Sequence, residues 1–358
     1  MSGLSTAVTD LRVAVHSFPT AAPEGDGTLT WDATTAVTVE VEAGGCTGLG
    51  WTYSVGAAAQ VVRDQLAGLL RGRDPLDVPG AWAVMHRAGR NLGTRGLFNQ
   101  ALSAVDIALW DLKARLLDVP LADLFGRVRD RVPVYGSGGF TTLSDDELAG
   151  QVAQWRAAGC TAVKIKIGES WGTEVARDLA RVRQLRHLAG DGVDLMVDAN
   201  GGYSTGQARR VGAALDELGV IWFEEPVSSD HTDDLRLLRS CLDCDVAAGE
   251  YVADVFDARR MAPAVDCLQL DVTRCGGYTG WLRCAALADA AGLQVSAHCA
   301  PSLHAPVAAA VPWLRHVEWF IDHARLEPQL VDGAPEVSDG ALQLTDAPGH
   351  GMTLRRAR

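Results

Sequence analysis

Short apolar segments recur at regular intervals through the last two thirds of the chain. They are separated by stretches with helical periodicity, such as "DDELAGQVAQWRAAG" and "GWLRCAALADAAG". A repeated alternation of strand and helix is typical of a parallel sheet with helical crossovers. Eight strands are predicted, at residues 132–137, 162–167, 194–199, 220–225, 245–250, 267–272, 293–298 and 316–321.

A closed barrel and a doubly wound open sheet would both produce this alternation. The glycine-rich nucleotide-binding signals of an open sheet are missing, because no G-x-G-x-x-G follows a predicted strand and no G-x-x-x-x-G-K-[ST] occurs. Charged residues fall at or near the C-terminal ends of nearly all the predicted strands. A barrel gathers its active site there, so the sequence favours a barrel.

The chain is predicted to have three parts. Residues 1–125 combine strand-like alternation with helical periodicity over 57–70 and 98–117, which indicates a small α+β unit. Residues 126–324 carry the barrel pattern. Residues 325–358 are rich in turn residues with short strands, and we expect them to pack back on the N-terminal unit.

Composition limits the classes of partner. The 358 residues carry a net charge of −13, spread along the chain, which argues against a nucleic-acid or anionic-membrane partner. There is no run of 18 apolar residues and no basic segment followed by an apolar run near the start, so a cytoplasmic protein is expected. The eight cysteines are scattered, and we expect reduced, mostly structural thiols.

Three acidic residues lie near the ends of successive predicted strands. Asp198, Glu224 and Glu250 follow one another at intervals of 26 residues. One mouth of a barrel would therefore hold three carboxylates, which resist burial together unless a cation compensates them. Hard oxygen ligands suit Mg²⁺, with Mn²⁺ as an alternative. Taken singly, each acid could instead be a helix N-cap or an ion-pair partner.

Two lysines lie in an otherwise apolar strand. Lys164 and Lys166 in "TAVKIKIG" are two residues apart and face the same side. In a barrel that side can be the interior. An ammonium group near another one, and partly desolvated, has its pKa lowered, which makes it a usable base. The alternative is an exposed edge strand protected by lysines against aggregation.

A carboxylate and an imidazole are predicted to meet on neighbouring strands. Asp271 ends the sixth strand and His298 the seventh, and such a pair orients the ring and raises its basicity. A lone histidine is more often a satisfied core residue, as expected for His304. Glu318 lies on the eighth strand, where a protonated carboxyl could donate a hydrogen bond to charge that develops on a substrate carboxylate.

The set "KIKIG", "VDANGGYS", "WFEEP", "AAGE", "LDVTRCGGYTGW", "SAH" and "HVEW", in this order and spacing, resembles the enolase superfamily and, within it, the mandelate racemase subgroup. Residues 101–126 are similar to the helix where that family's capping domain joins its barrel. The resemblance covers almost the whole chain. It implies a TIM-type (β/α)7β barrel with an N-terminal α+β capping domain completed by the C-terminal segment, and a homo-oligomer.

The resemblance also implies ligands for a metal. Asp198, Glu224 and Glu250 would hold an essential Mg²⁺ that chelates a carboxylate substrate and stabilises an enediolate after the α-proton is removed. Asn200 would contact the bound substrate. Glu225, next to Glu224, is the less favoured ligand of the two.

The catalytic roles follow from the same resemblance. Lys166 would be the base on one face of the substrate, and Lys164 would lower its pKa. His298, held by Asp271, would act from the other face. Glu318 would hydrogen-bond the enediolate oxygen.

Bases on both faces allow two reactions. If His298 protonates a leaving β-hydroxyl, the enzyme is a dehydratase that forms a 2-keto-3-deoxy acid; if it reprotonates the α-carbon, it is a racemase or epimerase. "HVEW" together with "YGSGGF" resembles the galactarate and talarate type, so an acid-sugar dehydratase is expected. A catalytically silent barrel used for binding is the remote alternative.

By analogy with the family, residues 17–31 and 48–54 would close over the substrate. The second segment carries Trp51 and Tyr53, which would contact the substrate or could be ordinary packing residues. The first lacks the basic residues that a second carboxylate would favour, although Arg95 would supply one. A diacid and a monoacid aldonate therefore both remain open as substrates.

Overall fold

The computed structural model describes residues 7–356. Its N-terminal part is an antiparallel sheet of order β1-β2-β3 packed against helices, as the sequence predicts. The strands are β1 Asp10–Gly25, β2 Thr30–Ala43 and β3 Cys46–Tyr53. The helices are α1 Ala57–Val61, α2 Ala67–Leu70, α3 Val78–Ala88, α4 Leu97–Leu117 and α5 Leu121–Phe125, with a π-helical turn at Val62–Leu66 and a 3₁₀ turn at Gly89–Asn91.

Two glycines let strand β3 approach helix α4 closely. A Cβ atom on Gly48 would lie 2.1 Å from the carbonyl oxygen of Ala108, and one on Gly50 would lie 2.2 Å from that of Ala104. Side-chain carbons do not come so near a carbonyl oxygen, so the contact requires glycine at both positions. The sheet and α4 thereby form the core of the N-terminal part.

The barrel is closed. Its eight parallel strands pair in sequence, and the ring closes where Val317 lies opposite Val134. All eight predicted strands are confirmed. They are β4 Arg131–Gly138, β5 Ala162–Lys166, β6 Asp194–Asp198, β7 Val220–Glu224, β8 Asp245–Ala248, β9 Cys267–Leu270, β10 Gln294–Ala297 and β11 Leu314–Phe320.

Helices follow every barrel strand, and local sequence explains several of their starts. Ser144 and Glu147 form a capping box, and so do Ser204 and Gln207. A helix also follows the eighth strand, in addition to those of a (β/α)7β pattern. The helices are α6 Asp145–Ala157, α7 Glu169–Gly172, α8 Val175–Ala189, α9 Thr205–Glu217, α10 Thr232–Arg239, α11 Val255–Met261, α12 Gly277–Ala290, α13 Pro301–Ala308 and α14 Ile321–Leu330, with a 3₁₀ turn at Ala262–Ala264.

The C-terminal segment contacts both other parts. Its strands are β12 Val331–Asp332, β13 Val337–Ser338, β14 Ala341–Gln343 and β15 Thr353–Leu354. Strand β14 pairs with barrel strand β4, while the amide of His350 donates to Asp111 of α4. Helix α14 runs across residue 325, where the sequence places the start of this segment.

Within residues 7–356, no helix combines the length and the apolar character that crossing a membrane requires.

The close contact between β3 and α4 predicts a stability defect. We expect Gly48→Ala to lower the free energy of unfolding by about 1–3 kcal/mol, because its methyl group overlaps the Ala108 carbonyl. Gly68→Ala is the matched control, since nothing lies within 4 Å of its added Cβ, and it should raise stability by about 0.5–1 kcal/mol. Urea denaturation measures both, and equal effects would contradict the packing argument.

Candidate active site and metal centre

Three carboxylates meet at the C-terminal mouth of the barrel. Asp198 and Glu224 are the last residues of β6 and β7 and lie side by side in the strand register, and Glu250 follows β8. One oxygen of each lies within 4.8 Å of the others, and all three side chains are buried. The structure therefore brings together the predicted triad.

Buried oxygens at this mouth are left without hydrogen-bond partners. They include Glu224 Oε1, Glu250 Oε2 and the side-chain oxygen of Asn200. Burial, with Asp198 adding to it, raises the pKa of Glu224 to about 8 despite the opposing effect of Lys164. Hard oxygens that are buried, clustered and unpartnered fit a divalent cation such as Mg²⁺.

Glu225 points to the same region but lies outside the triad. Its backbone has a φ of 37°, a left-handed conformation, and its Oε1 is also buried without a partner. Burial and the neighbouring Glu250 raise the pKa of its carboxyl well above the usual range.

Both lysines of β5 face the barrel interior, so the strand is not an exposed edge. Lys164 has no exposed surface, and its Nζ lies 2.6 Å from Glu224 Oε2 and 2.9 Å from Glu318 Oε1. Lys166 Nζ lies 2.5 Å from Asp198 Oδ2 and borders the cavity above the triad. Lys164 does not border it, so the two ammonium groups occupy different layers.

The predicted lowering of the lysine pKa values is wrong for this arrangement of protein charges. Burial lowers the pKa of Lys166 and Lys164 adds to this, but Asp198, Glu318 and Glu224 outweigh both, and the pKa lies above its usual value. The pKa of Lys164 is raised for the same reason. Three carboxylates near the ammonium groups therefore outweigh the repulsion between the two lysines.

His298 and Asp271 form the predicted pair. His298 Nδ1 lies 2.8 Å from Asp271 Oδ2, while Nε2 lies 3.3 Å from Glu250 Oε2. Burial lowers the pKa of His298, but Glu250 and the hydrogen bond to Asp271 more than offset it, so the pKa is raised. His304 is a core residue, and its Nε2 accepts a hydrogen bond from the amide of Val272.

Arg274 belongs to the site although the sequence prediction did not include it. Its guanidinium donates to Glu250 Oε1 at 2.8 Å and lies 3.4 Å from Asp271 Oδ2. It therefore joins the carboxylate triad to the histidine pair. A cation three residues after Asp271, within "LDVTRCGG", was the available signal.

Glu318 is an acceptor in this structure. Burial raises its pKa, but Lys164, His298 and Lys166 together hold the pKa well below the usual range. Ser137 Oγ donates to its Oε1 at 2.6 Å, and the amide of Cys299 donates to its Oε2 at 2.8 Å. The prediction of a protonated, donating carboxyl is therefore wrong for these surroundings, because cations and donors converge on both oxygens.

A cavity of about 300 Å³ opens above the triad. Lys166, His298, Asn200 and Tyr53 border it. Tyr53 stacks on His323 with ring centroids 3.6 Å apart. The predicted base, its partner on the other face and two predicted substrate contacts therefore share one space.

Two other predicted substrate contacts lie elsewhere. Trp51 is fully buried, with its Nε1 donating to Tyr53 Oη at 3.1 Å and its ring against His350. It therefore positions Tyr53 from behind. Arg95 borders a neighbouring cavity of about 700 Å³ and forms an ion pair with Asp257.

Residues 17–31, which cover the cavity, form regular secondary structure although they are rich in glycine and proline. Most of residues 17–31 form the end of β1 and the start of β2. The hairpin tip is fixed to the barrel: the amide of Thr141 donates to the carbonyl of Gly25, and a Cβ on Gly27 would lie 2.5 Å from the carbonyl oxygen of Ile167. Asp26 and Trp31 thereby reach the cavity.

The chain belongs to the mandelate racemase/muconate lactonizing enzyme family of the enolase superfamily. Residues 8–126 match the family described as "Mandelate racemase / muconate lactonizing enzyme, N-terminal domain", and residues 147–358 match "Enolase C-terminal domain-like".

Particular relatives cover nearly the whole chain. L-talarate/galactarate dehydratase of Salmonella typhimurium is 34% identical over 87% of this chain and 78% of its own. A mandelate racemase/muconate lactonizing enzyme-like protein from Rubrobacter xylanophilus superposes with a TM-score of 0.95 at 46% identity, covering 98% of this chain and 97% of that one. A racemase from Streptomyces coelicolor, solved with bound magnesium, has a TM-score of 0.91 at 32% identity, covering 97% of both chains.

The histidine pair predicts a shift that can be measured. We expect Asp271→Asn to lower the pKa of His298 by about one pH unit or more, because the ring loses a charged hydrogen-bond partner. Histidine resonances followed by NMR across pH measure this. Asp234→Asn, at a surface position beside His231, is the control and should leave the His298 titration unchanged. An unchanged titration in Asp271→Asn would contradict the pairing.

Proposed function

We propose that the protein is an acid-sugar dehydratase that removes the proton α to a carboxylate and eliminates the β-hydroxyl as water. The observation that carries this proposal is that Lys166 and His298 border one cavity from strands β5 and β10, beside the carboxylate triad. These strands lie three positions apart around the ring of eight, so the two groups approach a ligand from different sides.

Asp198, Glu224 and Glu250 would hold Mg²⁺. The unpartnered oxygens of Glu224 and Glu250 support this, as does the magnesium in the Streptomyces coelicolor racemase. When bound, the ion would hold the substrate carboxylate and neutralise the charge that develops on its oxygens. Asn200 is placed to orient the substrate beside this triad.

The protein groups divide the proton transfers. Lys166 Nζ takes the α-proton in its neutral form. A divalent cation bound at Asp198 would favour that form, because it would offset the carboxylate charge that holds the proton on the ammonium. His298 Nε2 gives a proton to the β-hydroxyl, which leaves as water. The enol so formed tautomerises to a 2-keto-3-deoxy acid. Asp271 positions the imidazole, and Lys164 neutralises Glu224 and Glu318 beneath the reacting carbon.

The same geometry favours one second candidate. If His298 gave its proton to the α-carbon instead, the product would be the epimer of the substrate. The similar Streptomyces coelicolor protein is described as a racemase. The two reactions differ only in which atom receives the proton.

Substrate assays separate the two reactions. With Mg²⁺ and a panel of aldonic and aldaric acids in D₂O, we expect formation of a 2-keto acid from at least one member. Exchange of the α-proton without keto acid would indicate the racemase instead. If no member of a broad panel gives either signal, both reactions are refuted.

The base assignment predicts a large loss of rate. We expect Lys166→Ala to lower kcat by about 10³-fold with folding intact, because proton abstraction loses its acceptor. Cys241→Ala, at an exposed position, should stay near the wild-type rate. Circular dichroism checks the fold of both variants, and a folded Lys166→Ala protein with normal turnover would rule out this base.

The metal site predicts stabilisation by Mg²⁺. At a Mg²⁺ concentration about 100 times the Kd, the free energy of unfolding should rise by about 2.7 kcal/mol. Glu224→Gln should abolish most of the calorimetric heat of Mg²⁺ binding, whereas Glu217→Gln, on an exposed helix position, should retain it. Equal binding heats in the two variants would exclude Glu224 as a ligand.

A further inference from the structure

The cavity has a cover wall whose charge differs from that of the triad. We define this cover wall as the polar and aromatic lining residues Asp26, Trp31, Thr34, Tyr53, Asp322 and His323, together with Ala33 and Thr35 of β2. They come from the β1–β2 hairpin, strand β3 and the start of helix α14. Resting on the proposed function, we infer that the substrate is a monocarboxylate polyol, an aldonate, and that Asp26 and Asp322 disfavour a second carboxylate.

The cations that border the cavity are all engaged at the triad. Lys166 pairs with Asp198, Arg274 with Glu250, and His298 lies between Glu250 and Asp271. Within the described part of the chain, the cover wall contributes no lysine or arginine to the lining. One substrate carboxylate therefore finds its positive surroundings beside the triad, and a second one at the cover wall would not.

His323 does not supply the missing charge. Burial lowers the pKa of His323 to about 4, although Asp322 opposes the shift. Its Nδ1 accepts a hydrogen bond from the amide of Ala300 at 3.0 Å, which requires an unprotonated nitrogen. At neutral pH the ring is an uncharged neighbour of the substrate.

Two other arginines, Arg325 and Arg95, lie near the cavity but do not border it. Arg325 donates to Asp322 and to the carbonyl of Pro19, and it does not border the cavity. Arg95, which the sequence offered as a partner for a second carboxylate, faces Asp257 in the neighbouring cavity.

The remaining charges of the cover are negative. Asp26 Oδ1 accepts hydrogen bonds from the amides of Thr28 and Leu29, and the Asp26 side chain borders the cavity. Behind the wall, Glu24 accepts a hydrogen bond from Trp31 Nε1. Burial and the nearby Asp322 raise the pKa of Glu24 to about 7, so it carries only part of a negative charge at neutral pH. A carboxylate next to such groups meets like charge, whereas a terminal hydroxyl can donate to them.

Matched pairs of acids test the inference. D-galactonate and galactarate, or D-gluconate and D-glucarate, have the same configuration at every stereocentre and differ in whether the chain ends in a hydroxymethyl group or a carboxylate. With Mg²⁺ present, we expect the aldonate to have a kcat/KM at least about tenfold above that of its aldarate in any pair that turns over. An aldarate that matches or exceeds its aldonate would overturn the inference.

Binding keeps the test independent of turnover. The Lys166→Ala protein is titrated calorimetrically with the same pairs in the presence of Mg²⁺, and the aldonate should bind at least about tenfold more tightly. Tighter aldonate binding without turnover or α-proton exchange in the wild type would support the inference and refute the proposed function. If neither acid binds, both the inference and the proposed function are overturned.

Two variants assign the discrimination to the cover wall. Asp26→Asn keeps the side-chain oxygen that its turn requires, and Asp322→Asn releases Arg325 from its carboxylate partner. Each should reduce the aldonate preference severalfold, and either one suffices if the other fails to fold. Asp346→Asn, at an exposed position outside the cavity, is the control and should leave the preference unchanged. If both variants fold and keep the wild-type preference for the aldonate over the aldarate, the assignment to the cover wall is wrong.

Discussion

The buried ammonium of Lys164 is the interaction on which the mouth of the barrel depends. It lies against Glu224 and Glu318 from opposite parts of the ring, so one side chain of β5 neutralises carboxylates from β7 and β11. Removing one partner of such a buried pair costs about 3–5 kcal/mol, because the other charge is left without compensation. The side chains that border the cavity above this layer therefore lie over a fixed arrangement of buried charges.

Much of the barrel could be predicted because its strands are buried on both faces. Segments such as 162–167 and 194–199 combine a short apolar run with a charged residue at one end, and strand register then fixes which charges become neighbours. Helix α14 was harder to predict, since Pro328 and the acidic and basic residues around it resemble a turn-rich tail. The regular structure of the cover hairpin was also hard to predict, because its prolines and glycines have low strand propensity. Pairing with β2 offsets that propensity in the folded chain.

The members of the candidate site were predictable, but their charge states were not. Strand ends and spacing identify Asp198, Glu224 and His298 without knowledge of distances. The pKa values of Lys166 and Glu318 depend on which opposite charges lie within a few ångströms, and the sequence does not supply those distances. Trp51 illustrates the same limit. Its segment was predicted to cover the substrate, but the side chain is buried and packs against His350 of the C-terminal segment.

The cover wall and the strand ends come from separate stretches of the chain. Chemistry depends on residues fixed by the barrel register, where a change disturbs several neighbours at once. The cover residues instead sit on a hairpin and at the start of one helix, which can vary one side chain at a time. Proteins that share the barrel residues can therefore differ in the acid that they accept, and similarity over the whole chain does not by itself identify the substrate.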